Sequence, residues 1–182
     1  MYQQIVRWNA VDYIETDHRL VEALFEEFEQ TANDEDAAKV LERLLTRLAL
    51  HGQLEHALLY PALRRFGPAL GRSIDEAERD HAALDECIAQ ILEDNENQRP
   101  CRARVSVLKQ YVSGHVQREE THLLPMARIC GIDLEALGDA LYSRHQRLLA
   151  FGLAPGVSAQ GAALPAHAAV RPPHPPARPM HP

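Results

Sequence analysis

Six side chains in this sequence could hold metal: His18, His51, Glu55, His81, His115 and Glu119. Imidazole nitrogens and carboxylate oxygens are donors that iron, zinc and manganese all accept. His51 and Glu55 stand four residues apart, as do His115 and Glu119. In a helix that spacing puts the pair about 40° apart around the axis and one turn along it. Both members can then reach one cluster. A carboxylate has two oxygens, so it can bridge two cations and offset their charge, giving each of two metals two histidines and a share of two glutamates. Positions left open beside two cations are what binding of dioxygen, peroxide or nitric oxide requires, or activation of a bound water.

Helices must position these groups, and the apolar pattern supplies them. One seam runs Val11, Ile14, His18, Val21, Phe25, Phe28, and another Leu41, Leu44, Leu48, His51, Glu55, Leu58, Ala62. A third runs Ile74, Ala77, His81, Leu84, Ile88, Ile91, and a fourth Val105, Leu108, Val112, His115, Glu119, His122, Met126. The spacings of three and four are those of an amphipathic helix, with histidine or glutamate in core positions. Burying a polar group without a partner costs about 1 to 3 kcal/mol, and an unpaired carboxylate more. A lone core histidine is ordinary, but six such groups near one level call for a common partner. Asn9 with Asp12, Asn33 with Asp36, and Ser73 with Glu76 carry the pattern of helix starts. Pro100 suits a first turn and Asp133 a cap. Helices are expected over residues 10–31, 34–65, 73–96, 100–127 and 133–150.

The two halves of this pattern repeat. Glu-Thr-Asp-His ending at His18 is echoed by Glu-Arg-Asp-His ending at His81, and His51 through Pro61 by His115 through Pro125, at offsets of 63 and 64 residues. Two equivalent hairpins, each offering one His and one His-x-x-x-Glu, would face their ligands across a pseudo-twofold axis.

The rest of the composition narrows the setting. The chain has 182 residues and a formal charge of −7 with basic residues scattered among acids, which argues against nucleic acid or an anionic membrane as partner. The first twenty residues lack the pattern of a secretory leader, and no apolar run is long enough to span a bilayer, so a cytoplasmic protein is expected. Cys87, Cys101 and Cys130 are odd in number and widely spaced, as reduced thiols would be. From residue 151 onward there is no Asp or Glu, and eight of the twelve prolines fall there. Residues 1–150 are therefore read as the helical domain and 151–182 as a disordered tail. In that tail His167, His174 and His181 are expected to be solvated.

The order His, His-x-x-x-Glu, His, His-x-x-x-Glu, with a proline six residues after each glutamate, resembles the hemerythrin-like HHE cation-binding family over residues 11–128. The composition, rich in Leu, Ala, Glu, Gln and Arg, reads as all-α, with Asp133 opening a short fifth C-terminal helix, and the resemblance implies that the first four helices form an up-down-up-down four-helix bundle. It also implies two non-haem iron ions joined by a bridging oxo or hydroxo group and held by His18, His51, Glu55, His81, His115 and Glu119. The implied ligand is a small oxidant (dioxygen, nitric oxide or peroxide) in a sensing, binding or iron-holding role. Oxygen-carrying members have two histidines four residues apart on the third helix, whereas here Ala77 and Asp85 flank His81 at that spacing. The missing histidine opens a coordination position or passes it to another group, favouring peroxide or nitric oxide chemistry over oxygen storage. Those carriers also use an acid at the position of Glu120, which lies about 140° round from His115 in a regular helix, so Glu119 is the expected bridge. Asp17 and Asp80 could orient the neighbouring ligands or stand in solvent. Tyr111, one turn before His115, is expected to fill core.

Three alternatives stay open. One is a peroxide-decomposing, catalase-like enzyme at the same site. Another is a ferritin-like site using Glu15-x-x-His18 and Glu78-x-x-His81. The last is a metal-free helical interaction module.

Overall fold

The computed structural model describes residues 8–94 and 100–151, and among them there is no strand. The long helices are α1 (Ala10–Gln30), α2 (Asp34–Leu54), α4 (Pro68–Asp94), α5 (Arg102–Arg118) and α7 (Leu134–Phe151). Short helices α3 (Tyr60–Arg64) and α6 (Leu124–Ile129) extend α2 and α5 beyond a five-residue π-helical turn at Glu55–Leu59 and at Glu119–Leu123. The expected C-terminal tail lies outside the described residues. No described helix is long and apolar enough to cross a membrane.

Several helix starts match the sequence reading. The Asn9 side chain accepts from the Val11 N–H at 3.0 Å, Asn33 from Asp36 at 3.0 Å and Asp133 from Ala136 at 2.9 Å. Two starts differ. The helix expected from Ser73 begins at Pro68, so the Ser73 and Glu76 pattern falls inside α4. Gly67 at φ 121° turns the chain, and the proline then opens the helix at the position where its missing N–H has no partner to lose. Pro100 precedes α5, whose cap position is Cys101.

Buried apolar residues fall into two clusters. One gathers Val11, Ile14, Leu59, Leu63, Ile74 and Leu123, the other Phe25, Leu41, Leu44, Leu84, Leu108 and Val112. Along α1 and α4 the chain runs from the first cluster to the second, and along α2 and α5 it runs back, so successive long helices alternate in direction. Each crosses between clusters beside a buried histidine: His18, His51, His81 and His115. A polar layer is thus enclosed between two apolar ones.

The π turns correct the expected seams. Tyr60 N–H bonds to Glu55 O and Leu124 N–H to Glu119 O, five residues back rather than four. One extra residue per turn advances the buried face by one position. Leu59 and Leu63 are therefore buried instead of Leu58 and Ala62, and Leu123 and Ala127 instead of His122 and Met126. His122 is exposed and bonds Thr121. Pro61 and Pro125 follow one residue after the wide turns, where a proline would clash with the carbonyl four back in an unbroken α-helix.

The fifth long helix, α7, packs on α1, α2 and the first π turn. A Cβ at Gly138 would overlap the Trp8 carbonyl, so glycine permits this close approach. Farther along, His145 is 1% exposed and accepts at Nδ1 from the Tyr13 hydroxyl. Burial, then the charge of Asp17, raises the Tyr13 phenol pKa and keeps it a donor. Burial and the nearby Arg47 charge push His145 down to about 4, so its ring is neutral. The stability this contributes is complete above pH 6.5, the free imidazole value, and is lost as pH falls toward about 4, because the unfolded chain takes up the proton first. Denaturant unfolding of metal-free protein should show this loss, at most about 3 kcal/mol, and the acid slope should flatten in His145→Gln.

Candidate metal centre

All six expected ligands lie together in the polar layer. Glu55, His18, Glu119, His115 and His51 are 0, 1, 1, 2 and 5% exposed, and His81 reaches 9%. Their ligand atoms form two overlapping groups, each with mutual separations within 4.8 Å: His18, His51, Glu55 and Glu119 in one, and Glu55, His81 and His115 in the other. Each hairpin therefore gives its two histidines to one group. Glu55 belongs to both, with Oε1 at 3.1 Å from His51 Nε2 and Oε2 at 3.0 Å from His81 Nε2. Glu119 Oε2 lies 3.4 Å from His18 Nε2 and 3.7 Å from His115 Nε2.

These contacts do not satisfy the atoms involved. His18 Nε2, His51 Nε2, Glu55 Oε1 and Glu119 Oε2 are buried without a hydrogen-bond partner, all in the same space. Buried polar atoms are rarely left so, because each forfeits its hydration. Four nitrogen and oxygen donors converging unsatisfied are the arrangement a cation completes, so the residues fit a metal centre.

Second carboxylates hold the far side of two rings and stand near that of a third. Asp17 Oδ2 lies 2.8 Å from His51 Nδ1, and Arg47, itself fully buried, grips the other Asp17 oxygen. Glu120 Oε1 is 2.9 Å from His18 Nδ1 and is also bound by Arg19. Asp80 lies 3.7 Å from His115 Nδ1 and pairs with Arg118 at 2.7 Å. A carboxylate on Nδ1 keeps the proton there and turns Nε2 inward as a ligand. Asp17 thus orients His51 across its hairpin, Asp80 stands near His115 Nδ1 without a hydrogen bond to it, and Glu120 sits behind His18 rather than between the groups. Because His115 and Glu119 are still related by a regular α turn, with the Glu119 N–H on the His115 carbonyl, only Glu119 points inward.

Electrostatics follow from burial against charge. Burial pushes the Glu55 carboxyl up, but the charges of His51 and His81 and their hydrogen bonds outweigh it and hold it well below the usual carboxylate range. Burial lowers His51, yet Glu55 and Asp17 carry it well above the ordinary imidazole value. His18 is likewise raised against burial by Glu119 and Glu120. Ligation at these nitrogens would displace any proton they carry, so metal uptake would be coupled to proton release.

One site residue was not among the expected ligands. The Tyr60 hydroxyl lies 2.9 Å from Glu119 Oε1, 3.2 Å from Glu55 Oε2 and 3.2 Å from His81 Nε2. Burial, with Glu55 and Glu119 beside it, raises its pKa well above the ordinary phenol value. In a regular helix Tyr60 would point about 140° away from Glu55. The π turn makes five residues one turn and brings it in. Its repeat partner is Leu124, and a polar residue facing an apolar twin beside the shared proline was the available signal. Tyr111, expected in the core, is 50% exposed. The residues of the ferritin-like alternative point outward, Glu15 pairing with Arg128 and Glu78 with Arg64, both at 3.0 Å.

A family model described as the hemerythrin HHE cation binding domain matches residues 9–149. Proteins named as uncharacterized from Mycobacterium tuberculosis and Mycobacterium bovis are 25% identical over 144 residues, covering 77% of this chain and 87% of theirs. No solved structure matches.

Gly52 and the two outward glutamates give separate tests. A Cβ at Gly52 would stand 3.1 Å from His81 Nδ1, while the same ring is held at 3.2 Å by His115 on its other side. Gly52→Ala should gain up to about 1 kcal/mol of helix propensity, yet weaken uptake of the second metal equivalent in an anaerobic ferrous titration. Glu15→Gln with Glu78→Gln should leave bound iron unchanged, and a loss of iron there would revive the ferritin-like arrangement.

Proposed function

The chain belongs to the hemerythrin HHE cation-binding family, and from that membership we propose that it is a non-haem di-iron protein that binds a small oxidant. In this reading helices α1, α2, α4 and α5 form an up-down-up-down four-helix bundle, with α7 docked as a fifth helix and residues 151–182 as a tail. His18, His51, Glu55 and Glu119 would hold one iron, and His81, His115 and the two shared glutamates the other, with an oxo or hydroxo group between them. The observation that carries the reading is Glu55, a fully buried carboxylate common to both donor groups. A single buried cation would need only one group.

When bound, the metals supply redox-active Lewis-acid positions for dioxygen, nitric oxide or peroxide. The chain's own residues do the rest. Glu55 and Glu119 offset the cationic charge in a water-poor interior, and Asp17 and Glu120 fix the His51 and His18 rings. The Tyr60 O–H, 2.9 Å from Glu119, holds a proton where a bound ligand would sit. His81 is the most exposed of the six, with the exposed His56 ring stacked edge-on at 4.8 Å, so ligand reaches the centre on this side. A cytoplasmic location suits the three free cysteines.

Tyr60 also favours the second reading, decomposition of peroxide, because a proton donor beside the open group can protonate a departing oxygen. Protein from iron-sufficient cells should carry about two iron ions per chain and absorb visible light, and Glu55→Ala should lose both. A folded, colourless protein without iron would sink the di-iron reading. Oxygen evolution from peroxide that disappears in His81→Ala and slows in Tyr60→Phe would mark the enzyme; iron-loaded protein that evolves none would leave binding or sensing.

A further inference from the structure

A line of oxidisable side chains runs from the surface toward the metal centre, and no ligand role accounts for it. Tyr142, 36% exposed on α7, stacks on Trp8 with ring centroids 6.1 Å apart and planes 23° from parallel. Trp8 is 3% exposed and meets Tyr13 edge-on at 5.0 Å. Tyr13 is fully buried and gives its hydroxyl hydrogen to His145 Nδ1. One helical turn farther on α1 stands Asp17, which holds His51 at 2.8 Å. Gly138 keeps α7, and with it Tyr142, against the Trp8 backbone.

From this geometry we infer that Tyr142, Trp8 and Tyr13 form an electron relay between a soluble one-electron reductant at the surface and the oxidised metal centre, with His145 as the proton acceptor of Tyr13. The inference rests on the di-iron reading for its oxidant, an iron site oxidised by peroxide or dioxygen. Oxidising a phenol is uphill unless its proton leaves with the electron, and a buried phenol has no water to take it. His145 meets that need, because its neutral ring presents a lone pair to the Tyr13 O–H.

The steps balance. One electron passes from Tyr13 to the oxidised site as the O–H bond breaks and the proton bonds to His145 Nδ1, leaving a neutral tyrosyl and an imidazolium. Trp8 returns an electron to Tyr13, and the proton goes back from His145. Tyr142 refills Trp8 and releases its own proton to solvent. A thiol or ascorbate at the surface then restores Tyr142, supplying one electron, while solvent returns the proton. The net change is one electron from reductant to iron site. Ring separations of 5.0 to 6.1 Å keep each aromatic step short, and the apolar cluster around Trp8 and Tyr13 shields the radicals from water.

The test first uses the metal-free full chain, with Tyr2, Tyr60, Tyr111 and Tyr142 changed to Phe so that Tyr13 is the sole tyrosine, and a photo-oxidised ruthenium polypyridyl as the external oxidant. Electron paramagnetic resonance should show a tyrosyl signal that is lost in Tyr13→Phe, where a tryptophanyl signal replaces it, and lost in His145→Phe. Circular dichroism would verify that each variant is folded. The relay is overturned if the single-tyrosine protein gives no tyrosyl signal, or if its yield is equal in a folded His145→Phe variant, since a purely structural Tyr13 to His145 bond predicts one or the other. The second arm adds hydrogen peroxide to iron-loaded protein and freezes the reaction. The same signal there completes the route. Its absence, with the first arm positive, upholds the relay and rejects peroxide as the oxidant.

Discussion

Two carboxylates lie fully inside an apolar interior, and most of what surrounds them compensates for that burial. An unpaired ionised carboxylate in such a medium costs many kcal/mol, and pairing relieves it only when hydrogen bonds satisfy the remaining lone pairs. Glu55 and Glu119 are met by four imidazoles and the Tyr60 hydroxyl, and two of the imidazoles are hydrogen-bonded from behind by a further carboxylate, with Asp80 near a third. Those outer acids are tied to arginines in turn. The apolar clusters above and below exclude water, which raises the energetic stake of every polar group left without a partner. The inward nitrogens and oxygens left unsatisfied in this enclosure fit a cation.

The chain repeat builds the centre as two halves that are related but unequal. Tyr60 stands where the other half has Leu124, and Gly52 where it has Val116. The first substitution adds a hydroxyl to the group with fewer donors, and the second makes room for the His81 ring. Behind the rings, Asp17 and Arg47 are buried together, whereas Asp80 and Arg118 are partly in solvent. Glu120 supports His18, while its repeat partner His56 lies edge-on against His81. One half is dry and rich in donors, and the other is nearer to water and holds the phenol. A symmetric site would offer an incoming ligand two equal places. This one has its most exposed histidine on the His81 side.

Helix α7 and the π turns connect the centre to the rest of the chain. Packing of α7 against α1 places His145 on Tyr13, whose neighbours one turn on are Asp17 and then His18 of the polar layer. A wide turn begins at each of Glu55 and Glu119 and a proline follows six residues on, so the carboxylate ends a regular helix segment and a fresh face begins beyond it. Distortion at a site of convergent ligands is a recurring use of such turns.

The sequence by itself determined the all-helical class, the helix caps at Asn9, Asn33 and Asp133, and the six residues of the polar layer. These follow from local rules, since a period of three and four fixes which residues share a helix face, and a polar group on an apolar face stands out without any knowledge of its neighbours. Tertiary structure decided what depends on helix distortion or on approach between distant segments. The π turns moved the seam by one residue, which turned His122 outward and Tyr60 inward, and regular periodicity carries no sign of that shift. Whether Asp17 meets His51 or water depends on how α1 and α2 face each other, and Glu120 finds His18 only because segments 102 residues apart pack together. The start of α4 at Pro68 also depended on a left-handed Gly67, a backbone state that competed with a plausible cap farther on and won.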